Sequence, residues 1–212
     1  MKINKSAPVV VTGATGYVAG HIVKKLLTEG LTVHATVRDP SNKDKLKYLD
    51  ALGEKLPGSI KYYKADLLND GSFDEAVKNC ELVFHTASPF KLEIKDPQKE
   101  LVTPAVNGTQ NVLQSVNKSK TCKRVVLTSS CASIIGDAIE CEDREYTDET
   151  QWNTTSSLRH QPYSYSKTMA EKTAWEINEG QNQWDLVTIN PCLLYTSPSP
   201  RDATLSRMPS SA

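Results

Sequence analysis

Three consecutive valines, Val9-Val10-Val11, begin a pattern that recurs along the chain: a short apolar run, a turn of small residues, then an amphipathic stretch. β-branched runs of this length read as strands, and apolar residues at three- and four-residue spacing read as helices. The first unit is strand Val9–Val11, turn 12–16 and helix 17–29, with Gly30 as its C-terminal cap. Further strands are predicted over Thr32–Val37, 60–64, 82–86, 124–130 and 186–190. Helices are predicted over 41–52, 72–79, from Pro97 or Glu100 to about Val116, and 163–179. The acidic, polar stretch 137–159 lacks periodicity and is predicted as loop, with a short turn around 148–152. Strand and helix alternating in this way predict an α/β fold with a doubly wound parallel sheet of the Rossmann type.

The first turn carries the earliest chemical signal. Gly13, Gly16 and Ala19 stand where a dinucleotide-binding loop needs a tight turn, close approach of a pyrophosphate, and close helix–strand packing. The phosphates would rest on the helix N-terminus, near Thr15, Tyr17 and Val18. Without a ligand the same residues make an ordinary strand–turn–helix joint; the flanking strands favour the cofactor.

Other strand ends extend the picture. The residue after the second strand reads the adenosine ribose: a guanidinium there favours the 2′-phosphate of NADP, a carboxylate the 2′-hydroxyl of NAD. Arg38, with Lys45 as a second cation, points to NADP; Asp39 opposes it unless it serves as a helix N-cap ahead of Pro40. Asp66, followed by Leu67, reads either as an adenine contact or as a turn cap. Thr86, Ala87 and Ser88 are small enough to let the nicotinamide side of the cofactor pass over the fourth strand. His85 reads as a satisfied core histidine before it reads as a catalyst. Asn107, inside the long helix, either braces the site or faces solvent. Ser129 and Ser130 end the fifth strand. Tyr163 and Lys167, four apart, share a helix face, whereas Tyr165 and Lys167 do not.

Composition narrows the class. The 212 residues balance 25 Lys and Arg against 25 Asp and Glu, which gives no electrostatic basis for nucleic-acid or anionic-membrane binding. The five cysteines show no metal-ligand or CxxC spacing, and no metal is expected. No apolar run reaches membrane-spanning length and the N-terminus lacks a signal-peptide core, so a cytoplasmic protein is expected.

Taken together, Thr12-Gly13-Ala14-Thr15-Gly16, the run ending at Pro40, His85-Thr86-Ala87-Ser88-Pro89, Val126-Leu127-Thr128-Ser129-Ser130 and Tyr163-(x)3-Lys167 resemble the extended short-chain dehydrogenase/reductase superfamily. The resemblance is strongest to its dihydroflavonol reductase, cinnamoyl-CoA reductase and NADPH-dependent aldehyde–ketone reductase branch, and runs from Val9 to Pro191. It implies Ser130, Tyr163 and Lys167 as catalytic residues, Arg38 and Lys45 on the NADP phosphate, Asp66 on adenine, and Pro191 at the start of a cofactor loop. In the plant flavonoid reductases an asparagine shortly after the serine reads substrate hydroxyls; Ile135 stands there, which weakens a flavonoid substrate. The implied activity is NADPH-dependent reduction of an aldehyde or ketone on a small molecule. The Lys167 ammonium and the oxidised nicotinamide would lower the Tyr163 hydroxyl from its ordinary pKa of about 10. The alternatives are a sugar-nucleotide epimerase or dehydratase, or a non-catalytic NADP-binding module.

From Cys192 the chain changes character. Its residues back-translate as TGT CTC TTA TAC ACA TCT and onward, a transposase mosaic end with the flanking adapter of short-read libraries. The expectation is therefore a cofactor-binding domain over 1–191 that carries the Ser-Tyr-Lys group. Residues 192–212 are expected to be translated adapter, disordered, with a substrate domain lost beyond residue 191 and the fragment inactive.

Overall fold

The computed structural model describes residues 4–89, 94–142 and 145–192. The expected disorder of 193–212, and Phe90 within the fourth strand-end run, lie outside them. Six strands form one parallel sheet: β1 (Val9–Val11), β2 (Thr32–Val37), β3 (Ser59–Lys64), β4 (Leu82–His85), β5 (Arg124–Thr128) and β6 (Asp185–Ile189). Their spatial order is β3-β2-β1-β4-β5-β6, the doubly wound arrangement. Register is continuous across the centre, with Val10 opposite His34 on one side and Val83 on the other.

Side chains alternate between the two faces of each strand, and the core divides accordingly. Val9 and Val11 point to one layer, with Val33, Ala35 and the apolar faces of α1 (Tyr17–Thr28) and α2 (Lys43–Lys55). Val10 points to the other, with Val83, Val125, Leu113, Val116 and Trp184, beneath α4 (Thr103–Ser119) and α5 (Pro162–Glu179). A four-residue helix, α3 (Asp74–Val77), contributes Val77 to this second layer. Full burial of each aliphatic side chain is worth about 1.5–3 kcal/mol, so the valine run at the sheet centre anchors both layers.

Several boundaries move for identifiable reasons. α2 starts at Lys43 rather than Ser41, because Asn42, not Asp39, caps it by accepting the Lys45 N–H at 3.2 Å. Asp39 instead turns its carboxylate onto Ser41, accepting from the backbone N–H at 2.9 Å and the hydroxyl at 2.6 Å. α2 also runs on through Gly53 to Lys55. The long fourth helix begins with a π-helical turn, Gln98–Val102, which runs directly into α4. Within α4, Asn107 is exposed. The polar stretch after β5 holds two 3₁₀ turns, Cys131–Ser133 and Ala138–Cys141.

The turn between α2 and β3 depends on a close backbone approach. A Cβ on Gly58 would lie 2.5 Å from the Leu31 carbonyl oxygen and 2.7 Å from the Leu27 Cα, where neither backbone can yield. Gly53, inside α2, would meet only the Ile60 side chain at ordinary contact distance, 3.6 Å. Gly58→Ala is therefore expected to destabilise the fold by about 1–3 kcal/mol. Gly53→Ala should be neutral or stabilising by up to about 1 kcal/mol. Urea unfolding of the two variants checks the contrast.

Candidate active site

The phosphate loop is shaped by its neighbours. Gly13 takes φ +62°, and a Cβ there would sit 3.0 Å from the Ala87 Cβ and 3.1 Å from its Cα, so the turn admits only glycine. Its N–H donates to Thr36 Oγ1 at 3.2 Å, and the Ala14 N–H to the Thr36 carbonyl at 3.0 Å, which ties the loop to β2. On the other side Thr12 Oγ1 accepts the N–H groups of Thr86 and Ala87 at 3.1 and 3.0 Å. The same oxygen lies 2.9 Å from His85 Nδ1. With both lone pairs taken, the hydroxyl proton goes to Nδ1, which assigns His85 as the neutral Nε2–H tautomer. His85 is 1% exposed, and burial, aided by repulsion from Lys167, pushes its pKa down to about 3. It is the satisfied core histidine, not an acid–base group.

Between these strand ends lies a cavity of about 640 Å³. Of the cofactor-binding residues expected from sequence, Gly13, Thr15, Gly16, Arg38, Asp66, Leu67, Thr86, Ala87 and Ser88 line it. Tyr17, Val18, Lys45, Tyr163, Lys167 and Pro191 stand outside its lining. Lys45 is exposed on the first turn of α2, and the Pro191 carbonyl accepts the Cys131 N–H at 3.0 Å. α1 opens onto the cavity through Gly16, with no side-chain cap and no acidic residue in its first turn. Its unsatisfied N–H groups and dipole thus meet no anion of the helix's own, a surface suited to phosphate. Asp66 caps its own turn by accepting the Leu68 N–H at 2.9 Å. Leu67 is seated by Asn111, whose Nδ2 donates to its carbonyl at 2.8 Å, and packs against Gly108, where no side chain intervenes. Asn111 carries no distinguishing sequence pattern.

The second half of the site gathers on α5. Asp137, from the loop after β5, holds the approach to that helix: its carboxylate contacts His160 Nε2 at 2.8 Å and accepts from Gln161 Nε2 at 2.6 Å. Gln161 then adopts φ +52° and Pro162 starts the helix. Tyr163, 36% exposed, stands beside the Ser130 side chain, which acts to lower its hydroxyl. Lys167 is 9% exposed; its Nζ lies 5.8 Å from the Tyr163 ring centroid and donates to Ser88 Oγ at 2.8 Å, a direct bridge to the cavity wall. Burial lowers the ammonium to about 8, with Glu171 opposing. Ser129 and Ser130 part company: Ser129 donates to Glu171 Oε2, while Ser130 turns towards Tyr163. Glu171 was not singled out from the sequence, although its place four residues after Lys167 puts it on the same helix face.

The expected lowering of the Tyr163 hydroxyl calls on the oxidised nicotinamide as well as Lys167; in the chain alone the hydroxyl is raised. Burial pushes Tyr163 up, the Ser130 hydrogen bond opposes that, and the Cys131 thiol adds to the rise. Burial is the largest of these, and the Lys167 ammonium donates to Ser88 Oγ. Among the described residues no cluster of three His, Cys, Asp or Glu could hold a metal ion, and no helix is long and apolar enough to cross a membrane.

His85 also generates a pH prediction. Its folded pKa lies below the unfolded value of about 6.5, so the unfolded chain takes up the proton first. Stability from this group is complete above about pH 6.5 and is lost as pH falls towards 3. His85→Asn is expected to lower stability at pH 7 and to flatten its decline across that window, measured by chemical unfolding at several pH values.

Known proteins share this fold and much of this sequence. Over 192 residues the chain is 45% identical to cinnamoyl-CoA reductase CAD2 of Medicago truncatula, covering 88% of this chain and 57% of that protein. It is 38% identical to dihydroflavonol 4-reductase of Gerbera hybrida over 199 residues, 92% of this chain and 53% of that one. The crystal structure of Gre2 in complex with NADPH from Candida albicans superposes with a TM-score of 0.76 at 34% identity, over 88% of this chain and 57% of that one. The chain thus spans little more than half the length of these relatives. Residues 9–211 match the model of the NAD dependent epimerase/dehydratase family, and the chain belongs to that family.

Proposed function

We propose that the protein to which this chain belongs reduces aldehyde or ketone carbonyls with NADPH, and that 1–191 supplies its cofactor-binding half together with Ser130, Tyr163 and Lys167. The observation that carries the reading is the Lys167 ammonium reaching from α5 to donate to Ser88 Oγ at 2.8 Å on the cavity wall, with Tyr163 one turn before it on the same helix and Ser130 beside Tyr163. The Gre2 structure solved with NADPH and the reductases among the relatives support it.

The residues fit the dinucleotide. Gly13, Thr15 and Gly16 with the start of α1, including Tyr17 and Val18, would hold the pyrophosphate. Asp66 and Leu67 would hold the adenine, and Thr86, Ala87 and Ser88 the nicotinamide side. Asp39 has one carboxylate oxygen engaged by the Ser41 N–H and hydroxyl, in a local turn of its own. Arg38 lines the cavity instead, and Lys45 adds positive charge nearby. NADPH supplies the hydride when bound. Ser130 would donate to the substrate oxygen and keep Tyr163 in line with it, and Tyr163 would give the proton from its hydroxyl. Lys167 would fix the nicotinamide ribose and stabilise the tyrosinate left behind. The same preference for a guanidinium after β2 weighs against an NAD-dependent epimerase, and an aligned proton donor weighs against a non-catalytic module.

The proposal assigns 192–212 to translated adapter and expects Met1–Ala212 to bind NADPH without appreciable turnover. Substrate orientation contributes about 7–11 kcal/mol in favourable cases, and the chain covers only part of its relatives. Arg38→Ala should weaken NADPH binding by about 1.5–3 kcal/mol while sparing NADH, since only NADPH loses a charge-assisted contact. Equal loss for both cofactors, measured by fluorescence titration, would reject the assignment. In the uninterrupted enzyme, Tyr163→Phe should remove most carbonyl turnover and leave NADPH affinity nearly intact, whereas Tyr165→Phe does little. Steady-state assays with small aldehydes check that pair; a lethal Tyr165 change would sink the choice of Tyr163.

A further inference from the structure

Behind the reacting group lies a buried carboxylate that the proposed chemistry does not use. Glu171 is 5% exposed and sits on α5 one turn beyond Lys167 and two beyond Tyr163, on the same face. Its Oε2 accepts the Ser129 hydroxyl, lies 2.5 Å from Ser133 Oγ and accepts from Asn190 Nδ2 at 3.0 Å. These three partners come from the residue after β5, the turn that follows Ser130, and the residue after β6. Two of them also approach the Ser130 carbonyl oxygen: Asn190 Nδ2 donates to it at 3.1 Å, and Ser133 Oγ lies 2.7 Å away, its one proton shared between that oxygen and Glu171. One carboxylate oxygen therefore gathers the segments on either side of the serine that faces Tyr163.

The same group faces Lys167. Around that buried ammonium stand Tyr163 and Glu171 from α5 and His85 from β4, with the neutral Ser88 hydroxyl at its tip. His85 is uncharged for the reasons above and Tyr163 is protonated near neutrality. Glu171 is the carboxylate that offsets the cost of burying the ammonium.

We propose that Glu171 is the positioning residue of the site: it fixes Ser130 opposite the Tyr163 hydroxyl through Ser129, Ser133 and Asn190, and it keeps the Lys167 ammonium charged from behind. The proposal rests on the reading of Ser130, Tyr163 and Lys167 as the reacting group. A carboxylate that merely ties three segments together would affect stability alone; this one also sets the charge and geometry of two other residues.

NMR titration of the Lys167 and Tyr163 side chains in Met1–Ala212 tests it, with signals assigned from Lys167→Met and Tyr163→Phe. Glu171→Gln should move the Lys167 midpoint down by about one pH unit, the effect of removing one nearby opposite charge. Ser133→Ala should leave Lys167 where it is and raise the Tyr163 midpoint, because the Ser130 hydroxyl loses its fixed place. An unmoved Lys167 in Glu171→Gln, or an unmoved Tyr163 in Ser133→Ala, overturns the proposal. If Glu171→Gln does not fold, the double change Lys167→Met with Glu171→Gln should restore a cooperative melt, since no ammonium is then left without its counter-charge. A double variant that stays unfolded also overturns it. NADPH titration of the parent chain separates the two readings. Both midpoint shifts without NADPH binding would uphold the role of Glu171 and reject the reductase reading.

Discussion

The hydroxyl of Thr12 holds the site together. It takes the Thr86 and Ala87 amides and reaches His85, and so locks the end of β1 to the end of β4. In the same turn Gly13 is tied to Thr36 of β2 and packed against Ala87. These contacts lie where the sheet order reverses direction, between β1 and β4, and there the diverging connections leave a crevice at the carboxyl ends of the strands. Buried hydrogen bonds are costly to leave unmade, about 1–3 kcal/mol for each orphaned group, so the crevice is rigid before any ligand arrives.

From that junction the chemistry runs in one direction. Ser88, two residues past Thr86, meets the Lys167 ammonium; Lys167 stands on the face of α5 that carries Tyr163; Tyr163 meets Ser130. Both buried bases are weakened, His85 to about 3 and Lys167 to about 8, mainly by burial, with the Lys167 charge adding to the effect on His85. The consequences differ. His85 has a neutral partner and gives up its charge, while Lys167 has Glu171 behind it and remains an ammonium near neutrality.

The sheet, its alternation with helices and the phosphate loop were legible because each rests on local rules: the valine run, glycine at a left-handed turn, and three- to four-residue helical spacing. Ser130 and Tyr163 were singled out through resemblance and helix geometry, and they stand side by side in the fold. What escaped was non-local or competitive. Asp39 and Asn42 are both competent caps, and Ser41 decided between them by offering Asp39 two donors. Asn111 matters only because Leu67, forty-four positions away, presents a carbonyl to it. Glu171 reads as one more charge on an amphipathic helix until Ser129, Ser133 and Asn190 converge on it. The raised Tyr163 hydroxyl depends first on its burial and then on Ser130 and Cys131 from the turn after β5, which helical spacing does not specify.

On the proposed function, a dinucleotide binds across the β1–β4 junction and reaches the α5 residues through Ser88. Amide hydrogen exchange of Met1–Ala212 with and without NADPH tests it most directly. The account predicts new protection concentrated at 13–18 and 86–88 and at the start of α5. Protection that leaves 13–18 and 86–88 unchanged while appearing elsewhere would contradict it.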